Sequence, residues 1–387
     1  MAITESCWTR AAATYADTSS TDGNSDLDHS DGYDGYDQKP FRARRNYNGV
    51  EVSLLRNVGR NRVPIVPLAE ISLDCDLSHS LSNENNQLGG ASMQVYRGQW
   101  NDTKVALKYM RAREPTGADS GVLWEYQRAI NDIDHEVSLM SYKPLCEHRN
   151  ITKLLGISFD PVKPVLIVEL AHQSFPDLRL FFNPHCNKNL PDAMPFELAA
   201  GLVSDIADGL SALHSYSVIH ADLKPENILI FPDPTSPIGI VAKIADFGMS
   251  GVDPQLPFTT DCGRVKRVGN SANPRGGTPV WLAPECLEGT NVLQNEPSRD
   301  IYSFGLIATY IALGGRHPKT YAEDLVRTKQ SDSMVETAVR LLKLYCARPS
   351  VDKRLRQVVE IARSTLRLEP KDRIQSLNGI RRLLYDQ

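Results

Sequence analysis

His220-Ala221-Asp222-Leu223-Lys224-Pro225-Glu226-Asn227-Ile228-Leu229 is the stretch on which the reading of this 387-residue chain turns. It follows a segment of helical apolar spacing and runs into a short apolar strand, so a turn there can aim Asp222, Lys224 and Asn227 at one point. A carboxylate so placed can orient an attacking hydroxyl and accept its proton, a lysine can neutralise growing negative charge, and an amide oxygen can bind a hard cation. Beyond Asn227, the triplet Asp246-Phe247-Gly248 closes a second apolar run with another carboxylate suited to a cation. The glycine after it permits a sharp backbone turn.

The two motifs, in this order and spacing, resemble the eukaryotic protein kinase family, and the resemblance extends over roughly residues 68–385. It implies an α+β, bilobal protein kinase fold. The small β-rich N-lobe with one long helix would span about 68–170 and the larger, mainly helical C-lobe about 171–385. It also implies ATP and Mg2+, with Asp222 as catalytic base, Lys224 as the γ-phosphate contact, and Asn227 and Asp246 as metal ligands.

Upstream, Val105-Ala106-Leu107-Lys108 is similar to the family's nucleotide-binding strand, which gives Ala106 and Lys108 as cofactor contacts, the lysine on the α and β phosphates. Its expected partner is Glu136, in Glu136-Val137-Ser138-Leu139-Met140 ahead of His148-Arg149-Asn150-Ile151. The gap from Lys108 to Glu136 exceeds the family's usual one and implies an insertion around Arg113 to Gly121; Glu125 would restore the usual gap and stands as the alternative. Leu88-Gly89-Gly90-Ala91-Ser92-Met93-Gln94-Val95-Tyr96-Arg97-Gly98 resembles the phosphate-covering loop with Gly90 and Val95 in register, but Leu88 and Met93 stand where the outer glycines would be. A side chain there obstructs close backbone approach to phosphate. Glu169 and Ala171 are expected at the adenine edge, with Val168 as a small gatekeeper.

Downstream, Gly277-Thr278-Pro279-Val280-Trp281-Leu282-Ala283-Pro284-Glu285 resembles the end of an activation segment of the tyrosine-kinase-like group, with Thr278 near Asp222 and Lys224. Lys224 followed by Pro225-Glu226-Asn227 points to serine or threonine acceptors on protein substrates. In Asp300-Ile301-Tyr302-Ser303-Phe304-Gly305 the aspartate is expected to hold the catalytic-loop backbone, and Arg373 to pair with Glu285. Ala221 stands where most regulated kinases carry arginine. Alanine makes no charge-assisted bond to phosphate, so activity is expected not to depend on a phosphate at that position, Thr259, Thr260 and Ser271 being the candidate acceptors in the long segment before Gly277. That segment is basic, with Arg264, Lys266, Arg267 and Arg275. The altered loop and Ala221 are what a pseudokinase-type binding scaffold would show, and that is the rival reading; a small-molecule phosphotransferase is a weaker one.

Periodicity agrees with two lobes. Met93 to Tyr96, Lys104 to Tyr109, Val165 to Leu170, Val218-Ile219, Ile228 to Phe231 and Val241 to Ala245 read as strands. Tyr126, Ile130, Ile133, Val137 and Met140 mark one face of a long helix, and Leu198, Leu202, Ile206, Leu210 and Leu213 that of another. From Ser298, a candidate N-cap, to Gly314-Gly315, a candidate stop, the pattern is helical again, with Phe304 to Leu313 a buried segment too short to cross a bilayer.

Composition sets the outer bounds. With 41% apolar and 23% charged residues, the chain is of globular type, and a net charge of −4 gives no basic excess to attract nucleic acid. Residues 1–40 hold eight acidic side chains against Arg10 and Lys39, with few apolar partners, so residues 1–67 read as a disordered acidic tail followed by a basic linker containing Arg42, Arg44, Arg45, Arg56, Arg60 and Arg62. The tail's Asp31-Gly32-Tyr33-Asp34-Gly35-Tyr36-Asp37 could meet a docking partner. Seven cysteines without C-x-x-C spacing read as reduced thiols, and with neither a signal segment nor a transmembrane run the expectation is a cytoplasmic protein.

Overall fold

The computed structural model describes residues 54–55, 58–59, 61–73, 93–113, 120–160, 163–190, 194–252, 277–287, 297–318, 334–349 and 351–385. The acidic tail, the phosphate-covering loop with Leu88 and Gly90, and the basic segment with Thr259, Thr260 and Ser271 lie outside them, as do Cys7, Cys75 and Cys262. The chain divides into two compact units, one drawn from residues 1–141 and 154–168, the other from 142–153 and 169–387.

Five strands build the first unit: β1 (Ile71–Leu73), β2 (Met93–Trp100), β3 (Thr103–Met110), β4 (Leu154–Asp160) and β5 (Lys163–Glu169), the last ending as the chain passes into the second unit. Their order is β1-β2-β3-β5-β4, and β1–β2, β2–β3 and β4–β5 pair antiparallel. Alternation places Val105, Leu107, Val165 and Ile167 on one face, where with Val66 they form a fully buried cluster. Gly98 is required where β1 crosses β2, because a Cβ there would lie 2.7 Å from the Ser72 carbonyl oxygen. Helix α1 (Ser120–Met140) buries all five apolar residues that its spacing singles out.

The second unit is mainly helical. Helix α2 (Phe196–Ser215) buries Leu202, Ile206, Leu210 and Leu213; Leu198, at the end of the predicted stripe, is half-buried. Short strands follow, β6 (Val218–Ile219), β7 (Ile228–Pro232) and β8 (Ile240–Ile244) in the expected places and β9 (Gly251–Val252) without a sequence expectation, paired β6 with β9 and β7 with β8. Helix α3 (Pro297–Ala312) is buried from Ser298 to its end, and is followed by α4 (Met334–Cys346), α5 (Arg356–Thr365) and α6 (Ile380–Tyr385). Ser298 does not cap α3. It lies inside the first turn behind Pro297, and its buried hydroxyl has no hydrogen-bond partner among the described residues. Proline fits a first helical turn because the amide it lacks would be unpaired there, so the cap reading fell one position inside the helix. The stop is as expected: Gly314 and Gly315 both take positive φ, and their amides bond back to Ile311 and Tyr310.

These units have the make-up of the two lobes that the sequence implies, an α+β arrangement of a β-rich part with one long helix and a mainly helical part. Among the described residues no helix is long and apolar enough to cross a membrane. Cys146, Cys186, Cys286 and Cys346 are free, and burial raises the thiol of Cys286 and pushes that of Cys346 up to about 11.

The expected pair of Arg373 with Glu285 is formed at full burial. Nη1 and Nη2 reach the two carboxylate oxygens at 2.6 and 2.8 Å, and the remaining donors go to the carbonyls of Ser298, Arg367 and Leu368. Breaking such a pair from one side leaves an uncompensated buried charge. Glu285→Ala is expected to lower stability by about 3–5 kcal/mol in denaturant unfolding. The double variant with Arg373→Met should recover only part of that, because three backbone carbonyls lose their donors as well.

Candidate active site

In the first unit, strand β3 carries Lys108 opposite Val95 of β2, with Ala106 two residues earlier opposite Arg97. Ala106 is buried and Val95 half-buried. Lys108 Nζ is ion-paired with Glu136 Oε1 on the buried side of α1. That settles the choice left open by the spacing, since Glu125 is exposed on the same helix. Part of the implied insertion lies outside the described residues, and α1 takes up the rest from Ser120. Val168 is buried at the end of β5, across from Leu154 of β4.

In the second unit, the polar groups of the 220–227 stretch converge. Lys224 Nζ donates to Asp222 Oδ2 at 2.6 Å and to Thr278 Oγ1 at 2.9 Å, while the Thr278 hydroxyl and amide both donate to Asp222 Oδ1 at 2.8 Å. Asn227 Nδ2 donates to the Asp222 carbonyl at 2.8 Å and more weakly to its Oδ2. Both carboxylate oxygens are therefore fixed by neighbours, and the Asn227 amide is oriented with both recorded bonds on its nitrogen.

The β7–β8 ribbon places the second carboxylate. Its ladder runs from Ile228 opposite Ile244, and the Ala245 amide donates to the Asn227 carbonyl at 2.9 Å, so Asn227 and Asp246 leave the same end of the ribbon. Asp246 has φ +66°, a left-handed conformation uncommon outside glycine, and its half-buried carboxylate has no hydrogen-bond or ion-pair partner among the described residues. No group of three or more His, Cys, Asp and Glu side chains able to hold a metal occurs among those residues, so the donor set for a cation here is one carboxylate and one amide oxygen.

Glu169 and Ala171 stand where β5 leaves its sheet. The Glu169 side chain is occupied: Oε2 accepts from Lys243 Nζ at 2.6 Å and Oε1 from the Lys153 amide at 2.8 Å. Its amide donates to the Lys153 carbonyl at 3.2 Å, so its carbonyl is the polar group left to meet a ligand. Ala171 packs with Phe231 and Val241, and Leu229 lies against the same cluster. Gly90 is outside the described residues.

Holding this loop in place is Asp300, fully buried near the start of α3. Its Oδ2 accepts from the His220 amide at 2.7 Å and from His214 Nε2 at 3.0 Å, and its Oδ1 from the Ala221 amide at 2.9 Å. His220 is itself sealed in: Nδ1 accepts from the Asp222 amide, so Nε2 carries the proton and donates to the Ala245 carbonyl at 3.0 Å. Sequence reasoning missed His214, Lys243, Leu229 and Arg299. His214 follows the last apolar residue of the α2 stripe and Arg299 is next to Asp300, so adjacency to a motif was the available signal; nothing local marks Lys243 as the partner of Glu169.

The family described as protein kinase domain matches residues 83–383. Among curated proteins, the chain is 27% identical over 349 residues to "Serine/threonine-protein kinase pelle" of Drosophila melanogaster, covering 85% of this chain and 63% of that protein. It is 30% identical over 226 residues to "Serine/threonine/tyrosine-protein kinase HT1" of Arabidopsis thaliana, covering 58% of this chain and 48% of that one. It is also 33% identical over 181 residues to "Probable serine/threonine-protein kinase roco8" of Dictyostelium discoideum, covering 46% of this chain and 8% of that one. The chain thus spans less than two thirds of the length of each of these relatives.

Asp300 also fixes a pH dependence. Burial alone would raise its pKa, but the His214 bond and charge, the nearby His220 and the Ala221 amide outweigh it and hold the carboxyl below its ordinary value. The ionised form therefore stabilises the fold above the ordinary carboxylate range, and that contribution is lost as pH falls through the lowered value. Asp300→Asn is expected to be less stable at neutral pH but to lose less on acidification, so urea midpoints of the two proteins should keep their separation down to the ordinary aspartate pKa of about 4 and converge below it.

Proposed function

The chain belongs to the protein kinase domain family, and from that membership we propose that it is a catalytically active serine/threonine kinase, its kinase domain occupying residues 68–385 behind a tail and linker. The observation that carries this reading is the Asp222 carboxylate, fixed on both oxygens by Lys224, Thr278 and Asn227. A scaffold that only bound partners would have no use for a base held in that way.

The donor groups suit ATP and magnesium. Mg2+ takes oxygen ligands and usually completes its shell with water and phosphate, so the Asp246 carboxylate and the Asn227 amide oxygen, at one end of the β7–β8 ribbon, are an adequate protein share. The bound metal would neutralise phosphate charge. Lys108, held by Glu136, is the ammonium for the α and β phosphates; Val95, Ala106 and Val168 are apolar positions for the base, and the Glu169 carbonyl with the backbone of Ala171 is the polar edge that recognises it. Gly90 is assigned to the phosphate-covering loop.

Asp222 orients the acceptor hydroxyl and takes its proton as the new bond from oxygen to phosphorus forms. The bond to the leaving oxygen breaks, and the displaced charge stays with the nucleotide product. Lys224, within reach of both Asp222 and Thr278, holds the transferred phosphoryl group against the base. The same lysine and Thr278 narrow the approach to Asp222, which favours the short side chains of serine and threonine. The names of pelle and roco8 support that choice, whereas that of HT1 includes tyrosine.

Incubation of the full chain with Mg2+, labelled ATP and a basic protein should give incorporation that falls about 10²–10⁴-fold in Asp222→Asn. Equal incorporation by both forms would return the chain to the pseudokinase reading. On paired peptides differing only in the acceptor, serine and threonine should be labelled and tyrosine should not.

A further inference from the structure

Ala221 is the residue of the 220–227 loop that takes a positive φ. It has φ +69°, a conformation that residues other than glycine rarely adopt, and is 3% exposed. Asp300 accepts the amides of His220 and Ala221, which secures one side of this turn. The other side, the Ala221 carbonyl, faces a closed environment. Gly277, with φ +111°, lies so near that a Cβ on it would sit 2.8 Å from that oxygen. A buried carbonyl needs a donor, and Nη2 of Arg299 supplies it at 2.9 Å from a side chain that is itself buried.

Arg299 and Asp300 are consecutive on α3, so one helical turn holds the peptide groups on both sides of residue 221 by charge-assisted bonds of opposite polarity. Asp222 follows directly, and its aim depends on the turn before it. We propose that Arg299 is a positioning residue for the phosphoryl-transfer reaction, holding the left-handed turn at Ala221 through its carbonyl so that Asp222 is aimed with no side chain at position 221 taking part. The device belongs to the resting fold and requires no phosphate.

The reading differs from that of an ordinary buried arginine in one consequence. If Arg299 acts by holding a strained backbone, a residue that adopts the same φ without strain should replace it. Ala221→Gly should then rescue a variant lacking the guanidinium, whereas glycine would add only flexibility if Arg299 merely filled space.

The test uses the full chain as wild type, Arg299→Met, Arg299→Lys, and Arg299→Met with Ala221→Gly. Amide exchange of the 219–224 segment, measured against α2 as internal standard, should rise in Arg299→Met and fall back in the double variant. The kinetic arm rests on the kinase reading: kcat should drop about 100-fold with the KM for ATP unchanged, and recover at least tenfold in the double variant. If Arg299→Met does not fold, Arg299→Lys, which keeps the charge but not the planar fork, should show the same two changes in smaller measure, with Ala221→Gly added to it for the rescue. Unaltered exchange of 219–224 in the folded variant, or raised exchange that glycine fails to lower, overturns the proposal. Absence of phosphoryl transfer in the wild type would overturn the kinase reading instead, and the exchange comparison would still decide the role of Arg299.

Discussion

The 220–227 loop of this protein takes its shape from one buried carboxylate. Asp300 is 1% exposed, and an ionised group taken so far out of water is costly unless its oxygens are fully engaged. Here they accept two backbone amides and the ring of His214. Neither amide has a ladder partner, since β6 ends at Ile219 and the 3-10 turn begins only at Pro225. Loop and carboxylate therefore satisfy each other, and removing either leaves the other unpaired in the interior.

Conformational strain collects around the same point. Ala221, Asp246 and Gly277 all take positive φ, and each flanks a group that touches or faces the Asp222 cluster. Left-handed conformations of non-glycine residues cost about 1–3 kcal/mol each and persist only where the surroundings over-determine them. The surroundings here are identifiable: Asp300 and Arg299 for Ala221, and the β7–β8 ladder continued by the Ala245 amide for Asp246. At position 277 glycine carries the φ without strain, and it is also the residue that the Ala221 carbonyl and Leu282 leave room for.

Much of this was legible from the chain. Six strand runs were found because alternation and β-branching act over adjacent residues, though β1, β4 and β9 were not among them, and the α1 and α2 stripes because helical spacing acts over four. The pairs of Lys108 with Glu136 and of Arg373 with Glu285 could be named because recognisable motifs bracket them. Ser298 shows the limit of local signals. A serine ahead of an apolar run is a good cap, yet Pro297 had already opened the helix. The bonds of Lys243 to Glu169 and of Arg299 to the Ala221 carbonyl were not legible at all. In the first the partners are distant in sequence, and in the second the acceptor is a backbone oxygen, which carries no signature in the side-chain alphabet.

Helix α3 shows why such contacts matter. A helix buried along its length would ordinarily be apolar throughout, and from Ile301 this one is mainly so, its buried Ser303 and Thr309 hydroxyls bonding to backbone carbonyls. Its first turn instead carries Arg299 and Asp300, both buried and both bonded to the backbone of residues 220 and 221. The apolar remainder anchors the helix in the core, so the charged turn has little freedom to move. Rigidity from the packed part is thereby transferred to the loop that carries Asp222. On this account an alanine at position 221 is no deficiency, because the loop is held from behind by its peptide groups rather than from its own side chain.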